Sequence, residues 1–235
     1  MHDSIQKIIS RNLNSIRDKI QQAACKAGRK PNDIRLVAVS KFHPVESIYA
    51  AFNDKQLIFG ENRIQEAKKK FAPIFSEQPD IKLHIIGPIQ SNKLLDAVKI
   101  ADTIETVDRL SILDPLEKAI QKTGRSPTLF IQINTGREPQ KAGIYPEDAD
   151  HFISLCWKRF GSSIQGVMGI PPVHEDPVPH FRKLANLARK FDLNEISMGM
   201  SNDFETAIAC GATYVRVGTG VFGTRPLNPK NNSFQ

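Results

Sequence analysis

Eight short apolar segments recur along the chain, separated by longer stretches in which apolar residues return every three or four positions. The segments are 34–41 (IRLVAVSK), 56–61 (QLIFGE), 82–89 (KLHIIGPI), 103–108 (TIETVD), 128–136 (TLFIQINTG), 163–170 (SIQGVMGI), 194–201 (NEISMGMS) and 214–223 (YVRVGTGVFG). Their starts lie 20 to 35 residues apart. Several are continuous Val/Ile runs rather than alternations, the mark of strands buried on both faces. Between them, 45–54, 64–75, 92–100, 110–122, 146–160, 179–190 and 203–210 each carry the apolar stripe of an amphipathic helix. A leading helix over about 3–28 precedes the first strand. Ser91 and Asp108 are the expected N-caps of the fourth and fifth helices, and Gly124 and Gly211 stand where C-caps belong. This order predicts an α/β fold: a single (β/α)8 TIM barrel with an extra N-terminal helix. A doubly wound open sheet fits less well, because no Gly-rich turn follows the first strand. No shift of composition marks a boundary, so 1–235 reads as one domain, with a leading helix over 1–28, a barrel over 34–223 and a frayed tail over 224–235.

Composition narrows the class of protein without naming it. The chain has 235 residues, 40% hydrophobic and 24% charged, as ordinary soluble domains do. No stretch approaches the roughly 18 to 20 apolar residues of a membrane span. The start, MHDS, lacks the apolar segment of a secretory signal. Cys25, Cys156 and Cys210 are far apart and odd in number, which excludes a disulfide scaffold and a zinc module. A reducing cytoplasm is the expected location, with no membrane partner. The 32 basic residues exceed the 25 acidic by +7, but they are spread thinly. The one dense run, Lys68-Lys69-Lys70, reads as a solvated helix face, and no nucleic-acid-binding signature accompanies it.

In such a barrel the chemistry lies where strands end at their carboxyl face. Lys41 closes the first segment. It is either a lysine solvated at the rim or an amine placed over the mouth, where partial desolvation frees it to form a Schiff base. Arg216 stands among β-branched residues in the eighth segment, where arginine needs a partner. Either an ion pair with Glu105 in the fourth segment or a ligand would supply one. Gly218, Thr219 and Gly220 follow it, and the seventh segment ends at Ser201, before the helix at 203–210. Loops after strands seven and eight commonly hold a phosphate, so two hydroxyl-bearing, small-residue ends at those places point to one. The bland alternative is that these glycines only make tight turns. Asn62 after the second segment, and Gln90 to Lys93 after the third, are polar clusters that could equally cap helices. The six histidines do not cluster, and no metal is assigned. Neither a nucleophile elbow nor a Walker loop is present.

A strand-one lysine, a phosphate site after strands seven and eight, and a buried arginine between them describe a barrel for pyridoxal 5′-phosphate (PLP). At this point the sequence resembles the pyridoxal phosphate homeostasis protein family, which shares the barrel of the alanine racemase N-terminal domain. The matching segments are LVAVSK ending at Lys41, FGEN ending at Asn62, IGPIQSNK ending at Lys93, QINTG ending at Gly136, KAG from Lys141, SMGMS ending at Ser201, and VRVGT through Arg216 to Thr219, running on to Gly223. They run in order over nearly the whole chain.

The resemblance implies that Lys41 holds PLP covalently as a Schiff base. It implies that Ser201, Gly218 and Thr219 hold the phosphate, that Arg216 sits against the pyridine nitrogen, and that Asn62 lies near the ring. It also implies a role in intracellular PLP homeostasis, with delivery to PLP-dependent apo-enzymes as the partner interaction. Two positions depart from the family pattern: Pro88 stands where histidine is usual, and Arg63 where an aromatic residue is common.

An arginine at the pyridine nitrogen keeps that nitrogen unprotonated and the ring a poor electron sink. Transamination and decarboxylation are therefore disfavoured. Racemisation needs an acid and a base on opposite faces of the substrate carbon, and in the alanine racemase relatives one comes from a second domain that the residues after 223 are too few to build. The expectation is a non-catalytic PLP-binding monomer, the alternative a single-domain amino-acid racemase of low activity. Lys93, just beyond strand three, is the expected secondary acceptor of PLP when Lys41 is lost.

Overall fold

The computed structural model describes residues 2–224, and the tail expected over 224–235 lies outside it apart from its first residue. Eight parallel strands close into a barrel in sequence order, β1 to β8. They are β1 (Arg35–Val39), β2 (Ile58–Glu61), β3 (Lys82–Ile85), β4 (Thr103–Val107), β5 (Thr128–Ile133), β6 (Ile164–Gly169), β7 (Glu195–Ser197) and β8 (Tyr214–Val217). Closure comes from β8 against β1, with Val37 opposite Arg216. The helices are α1 (His2–Lys26), α2 (Val45–Asn53), α3 (Ile64–Glu77), α4 (Leu94–Ile100), α5 (Leu113–Thr123), α6 (Ala149–Phe160), α7 (Pro177–Lys190), α8 (Phe204–Ala209) and α9 (Thr219–Phe222).

Every strand but β2 stops short of the end of the apolar segment that predicted it, because the trailing residues of those segments build the turns at the barrel mouth. The clearest case is 214–223. Its strand ends at Val217, and α9, an element the sequence pattern did not predict, begins at Thr219. Gly124 caps α5 in the left-handed region, at φ +66°, as expected. The two expected N-caps are not caps. Ser91 opens a 3₁₀ turn, Ser91–Lys93, ahead of α4, with no side-chain cap. The carboxylate of Asp108 is taken by Arg109 Nη1 at 2.5 Å, and a second 3₁₀ turn, Leu110–Ile112, leads into α5.

Two apolar layers hold the barrel. The larger lies between strands and helices. In α1, Ile9, Leu13, Ile16, Ile20 and Ala24 are buried against α2, α8 and α9, so the leading helix is part of the fold's outer layer. The smaller fills the interior with Val37, Phe130, Met168 and Tyr214, flanked by Ile58 and Ile170. The Tyr214 ring lies tilted against Phe130 and His84, and Arg35 lies over the Tyr214 face at 4.0 Å. Above that apolar floor the interior turns polar, and the mouth begins. No helix of the described residues is long and apolar enough to cross a membrane.

Candidate functional site

Lys41 sits in the turn that follows β1. The strand ends at Val39, and Ser40 still donates to the Gly60 carbonyl at 3.1 Å, so Lys41 is the second residue past the barrel wall. It is partly buried at the carboxyl end of the strands. Phe42, next to it, is a non-glycine residue at φ +66°. Such a conformation costs roughly 1–3 kcal/mol and persists where the surroundings over-determine it, commonly at functional sites.

Arg216 lies inside the barrel, 4% exposed. Its Nη1 donates to Ser197 Oγ at 2.6 Å, and its Nη2 donates to the Gly169 carbonyl at 3.0 Å. Ser197 in turn donates to Glu105 Oε2 at 2.6 Å, and His84 Nδ1 donates to Glu105 Oε1 at 2.7 Å. Arg216 and Glu105 face each other at 3.7 Å with the serine hydroxyl between them. The ion pair considered from sequence is therefore present, extended by His84 and Ser197, which sequence reading did not single out. Burial alone would raise the Glu105 carboxyl, but the His84 hydrogen bond, Arg216 and Ser197 together hold it below the usual carboxylate range. Burial pulls the Arg216 guanidinium below its ordinary value, with Glu105 opposing. The network fixes the arginine's direction and leaves the upper barrel polar.

The ends of β7 and β8 form two adjoining turns. Ser201 is exposed in the turn 201–203. It does not stand at the start of a helix: α8 begins at Phe204, and Asp203 precedes it with its carboxylate accepting from the Met200 amide at 2.6 Å. Gly199, at φ +89°, turns the chain there, and a side chain would strike Ala207 and Phe204. Gly218 precedes α9, and Thr219 is the exposed first residue of that helix. A loop after strand eight leading into a short extra helix is the usual phosphate seat of such barrels. A Cβ on Gly218 would lie 3.3 Å from the Val39 carbonyl, so the β8 end packs closely against the end of β1 that carries Lys41. Gly220 faces Ile16 of α1 instead, so there the tight-packing reading holds.

Asn62 follows β2, and its Oδ1 is buried without a hydrogen-bond partner. An unpaired buried acceptor costs about 1–3 kcal/mol unless something satisfies it. Gly87 lies so close that a side chain would run into the Asn62 backbone. Asn62, Arg63, Pro88, Gln90, Lys93 and Arg109 line a cleft of about 620 Å³ at this side of the mouth. Both departures from the family pattern, Arg63 and Pro88, are on that cleft, as is Lys93.

A charged residue was also misjudged from sequence. Lys70 is not on a solvated face: its side chain is only 10% exposed, and it pairs with Glu61 and Glu66 beneath the Lys41 turn. The signal available was spacing, since Glu66 and Lys70 are four apart on α3. The described residues contain no cluster of His, Cys, Asp and Glu that could hold a metal, and the three cysteines are free.

The alanine racemase N-terminal-domain family model matches residues 11–226. Over 95% of its length the chain is 35% identical to the pyridoxal phosphate homeostasis protein of Haemophilus influenzae, covering 99% of that protein. With the protein of the same name from Escherichia coli K12 it shares 36% identity over 94% of the chain and 99% of the relative. PipY of Synechococcus elongatus, solved with PLP bound, is 33% identical with a TM-score of 0.77, covering 92% of this chain and 100% of its own. A Clostridium difficile alanine racemase, 14% identical, superposes with a TM-score of 0.71 over 97% of this chain and 59% of its own, a likeness of fold.

Proposed function

The chain belongs to the alanine racemase N-terminal-domain family and, within it, to the pyridoxal phosphate homeostasis proteins, and from that premise we propose that it binds PLP through Lys41 and serves intracellular PLP homeostasis without efficient catalysis. The observation that carries this reading is the convergence at one end of the barrel. Lys41 follows β1, Ser201 follows β7, Gly218 and Thr219 follow β8, and Gly218 packs on the Val39 carbonyl just before the lysine turn. The unsatisfied Asn62 Oδ1 at the same mouth supports it.

In this reading the Lys41 amine is the covalent attachment point. The Ser201 and Thr219 hydroxyls and the backbone at Gly218 hold the phosphate, Asn62 contacts the ring, and Arg216 stands at the pyridine nitrogen. When bound, PLP supplies an aldehyde carbon that amines attack and a ring that can withdraw electrons. Arg216 is fixed by Ser197 and Gly169 and has no proton to give at neutral pH, so it orients the ring without protonating it. A ring so held is a weak electron sink, and holding or releasing the cofactor becomes the function. The names of the relatives, homeostasis proteins rather than enzymes, support that reading. Free cysteines support a cytoplasmic setting, and we take the working unit as a monomer that supplies PLP-dependent apo-enzymes.

The test is a titration of the purified protein with PLP, followed by visible absorbance, and an assay of D- and L-alanine interconversion on the loaded protein. We expect one PLP per chain, a visible band that Lys41→Ala weakens or shifts, and no racemisation above background. Racemisation that Lys41→Ala abolishes would make the protein a low-activity racemase instead.

A further inference from the structure

The lysine turn is held by a charged cluster that the proposed function has not used. Lys70 Nζ reaches four acceptors: the Ser40 carbonyl at 2.7 Å, the His43 carbonyl at 3.1 Å, Glu61 Oε1 at 2.6 Å and Glu66 Oε1 at 2.8 Å. An ammonium has three donors, so all are committed. Ser40 Oγ also donates to Glu61 Oε1 at 2.7 Å, and the Phe42 amide donates to Glu66 Oε1 at 2.6 Å. The end of β2 and the first two turns of α3 thus grip the carbonyl before Lys41, the amide after it, and the carbonyl after that. From the opposite side, the His43 ring meets Phe222 of α9 at 5.1 Å. The turn is therefore clamped between α3 and the short helix beside the expected phosphate seat.

The clamp holds a conformation the sequence would not choose. Phe42 is 45% exposed and in the left-handed region, where a non-glycine residue is strained. Little apolar burial rewards Phe42 for staying there, whereas its amide is tied to Glu66 and its neighbours to Lys70. A buried lysine with two carboxylates, one of them fully buried, is a costly way merely to stabilise a surface turn.

We propose that Lys70, through Glu61 and Glu66, is a positioning residue for Lys41: it fixes the 40–43 turn so that the Lys41 amine is presented at the barrel mouth. This rests on the reading of Lys41 as the attachment point.

The experiment compares the full-length wild type with Lys70→Met/Glu61→Gln, which removes the cation without leaving Glu61 charged and buried. It adds Glu66→Ala, which frees the Phe42 amide, and Lys70→Arg as the conservative control. Two readouts are taken. One is the PLP dissociation constant. The other, on cofactor-free protein, is the pH profile of Lys41 acetylation by acetic anhydride, followed by peptide mass. We expect PLP affinity to fall about tenfold or more in the first two variants, as the loss of a charge-assisted hydrogen bond implies. We also expect the acetylation profile of Lys41 to shift, and Lys70→Arg to recover part of both. Circular dichroism identifies any variant that fails to fold, and Glu66→Ala, which keeps Lys70 and Glu61, then decides alone. Folded variants with wild-type affinity and an unchanged Lys41 profile would overturn the positioning role. If the wild type itself does not attach PLP at Lys41, the attachment reading fails, while the acetylation profile still reports on Lys70.

Discussion

Replacing Arg216 with methionine separates an arginine kept for the fold from one kept for a ligand alone. The side chain is 4% exposed, and the carboxylate it faces at 3.7 Å, Glu105, is fully buried. Methionine fills much of the volume but strands Glu105 with only its His84 and Ser197 hydrogen bonds, at 2.7 and 2.6 Å. Breaking one side of a buried ion pair costs about 3–5 kcal/mol. The two surviving bonds put the expected loss at the lower end, about 3 kcal/mol. The assay is urea unfolding of PLP-free protein for wild type, Arg216→Met, Glu105→Gln and the double variant. Residues in one network couple, so the double variant should be less destabilised than the sum of the singles, by about 1–3 kcal/mol. The pH dependence has a fixed sign. Glu105 is held below the usual carboxylate range in the folded state, so its contribution is present above that range and is lost as pH falls through its folded value. The gap between wild type and Arg216→Met should therefore narrow in acid. A loss below about 1 kcal/mol, additive with Glu105→Gln, would refute the buried network as a stabilising unit and leave Arg216 to the ligand.

Other outcomes follow from single contacts. Gly87→Ala should push the Asn62 backbone outward, lowering stability by about 1–3 kcal/mol and weakening PLP binding; an unchanged melting curve would show that the loop yields freely. Burial pushes the Cys156 thiol up to about 12. With so little thiolate, iodoacetamide at pH 8 should label the exposed Cys25 and spare Cys156 until unfolding, and equal labelling rates by peptide mass would contradict the packing. Borohydride reduction of Lys41→Ala loaded with PLP should place the modification on Lys93, which lines the mouth cleft; a trap that finds no modified lysine, or a different one, removes Lys93 as the second acceptor.

The barrel was legible because each strand's Val/Ile run, and each helix's stripe, belongs to a local period that eight repeats enforce. The mouth was legible only in part. Lys41, Arg216 and the Gly218-Thr219 pair stand out because they interrupt apolar segments, and Glu105 did so as a carboxylate within TIETV. Ser197 and His84 were hidden, since a serine and a histidine in a strand signal nothing until the barrel closes and brings them to Glu105. Lys70 was misjudged for a related reason. Its place in a run of three lysines suggested solvent, while its partners other than Glu66 lie on other elements, the Ser40 and His43 carbonyls and Glu61. Ser91 and Asp108 failed as caps because 3₁₀ turns precede both helices and Arg109 competes for the carboxylate. The short helix α9 was missed because four residues are too few to show a period.

The most direct test of the central claim is borohydride reduction of the purified protein after incubation with PLP, followed by peptide mass mapping. The account predicts a pyridoxyl group fixed on Lys41, in the peptide that carries LVAVSK, and its disappearance when free phosphate-bearing aldehyde is omitted and endogenous cofactor removed. An unmodified Lys41 at saturating PLP would contradict it and leave the barrel mouth with a different ligand.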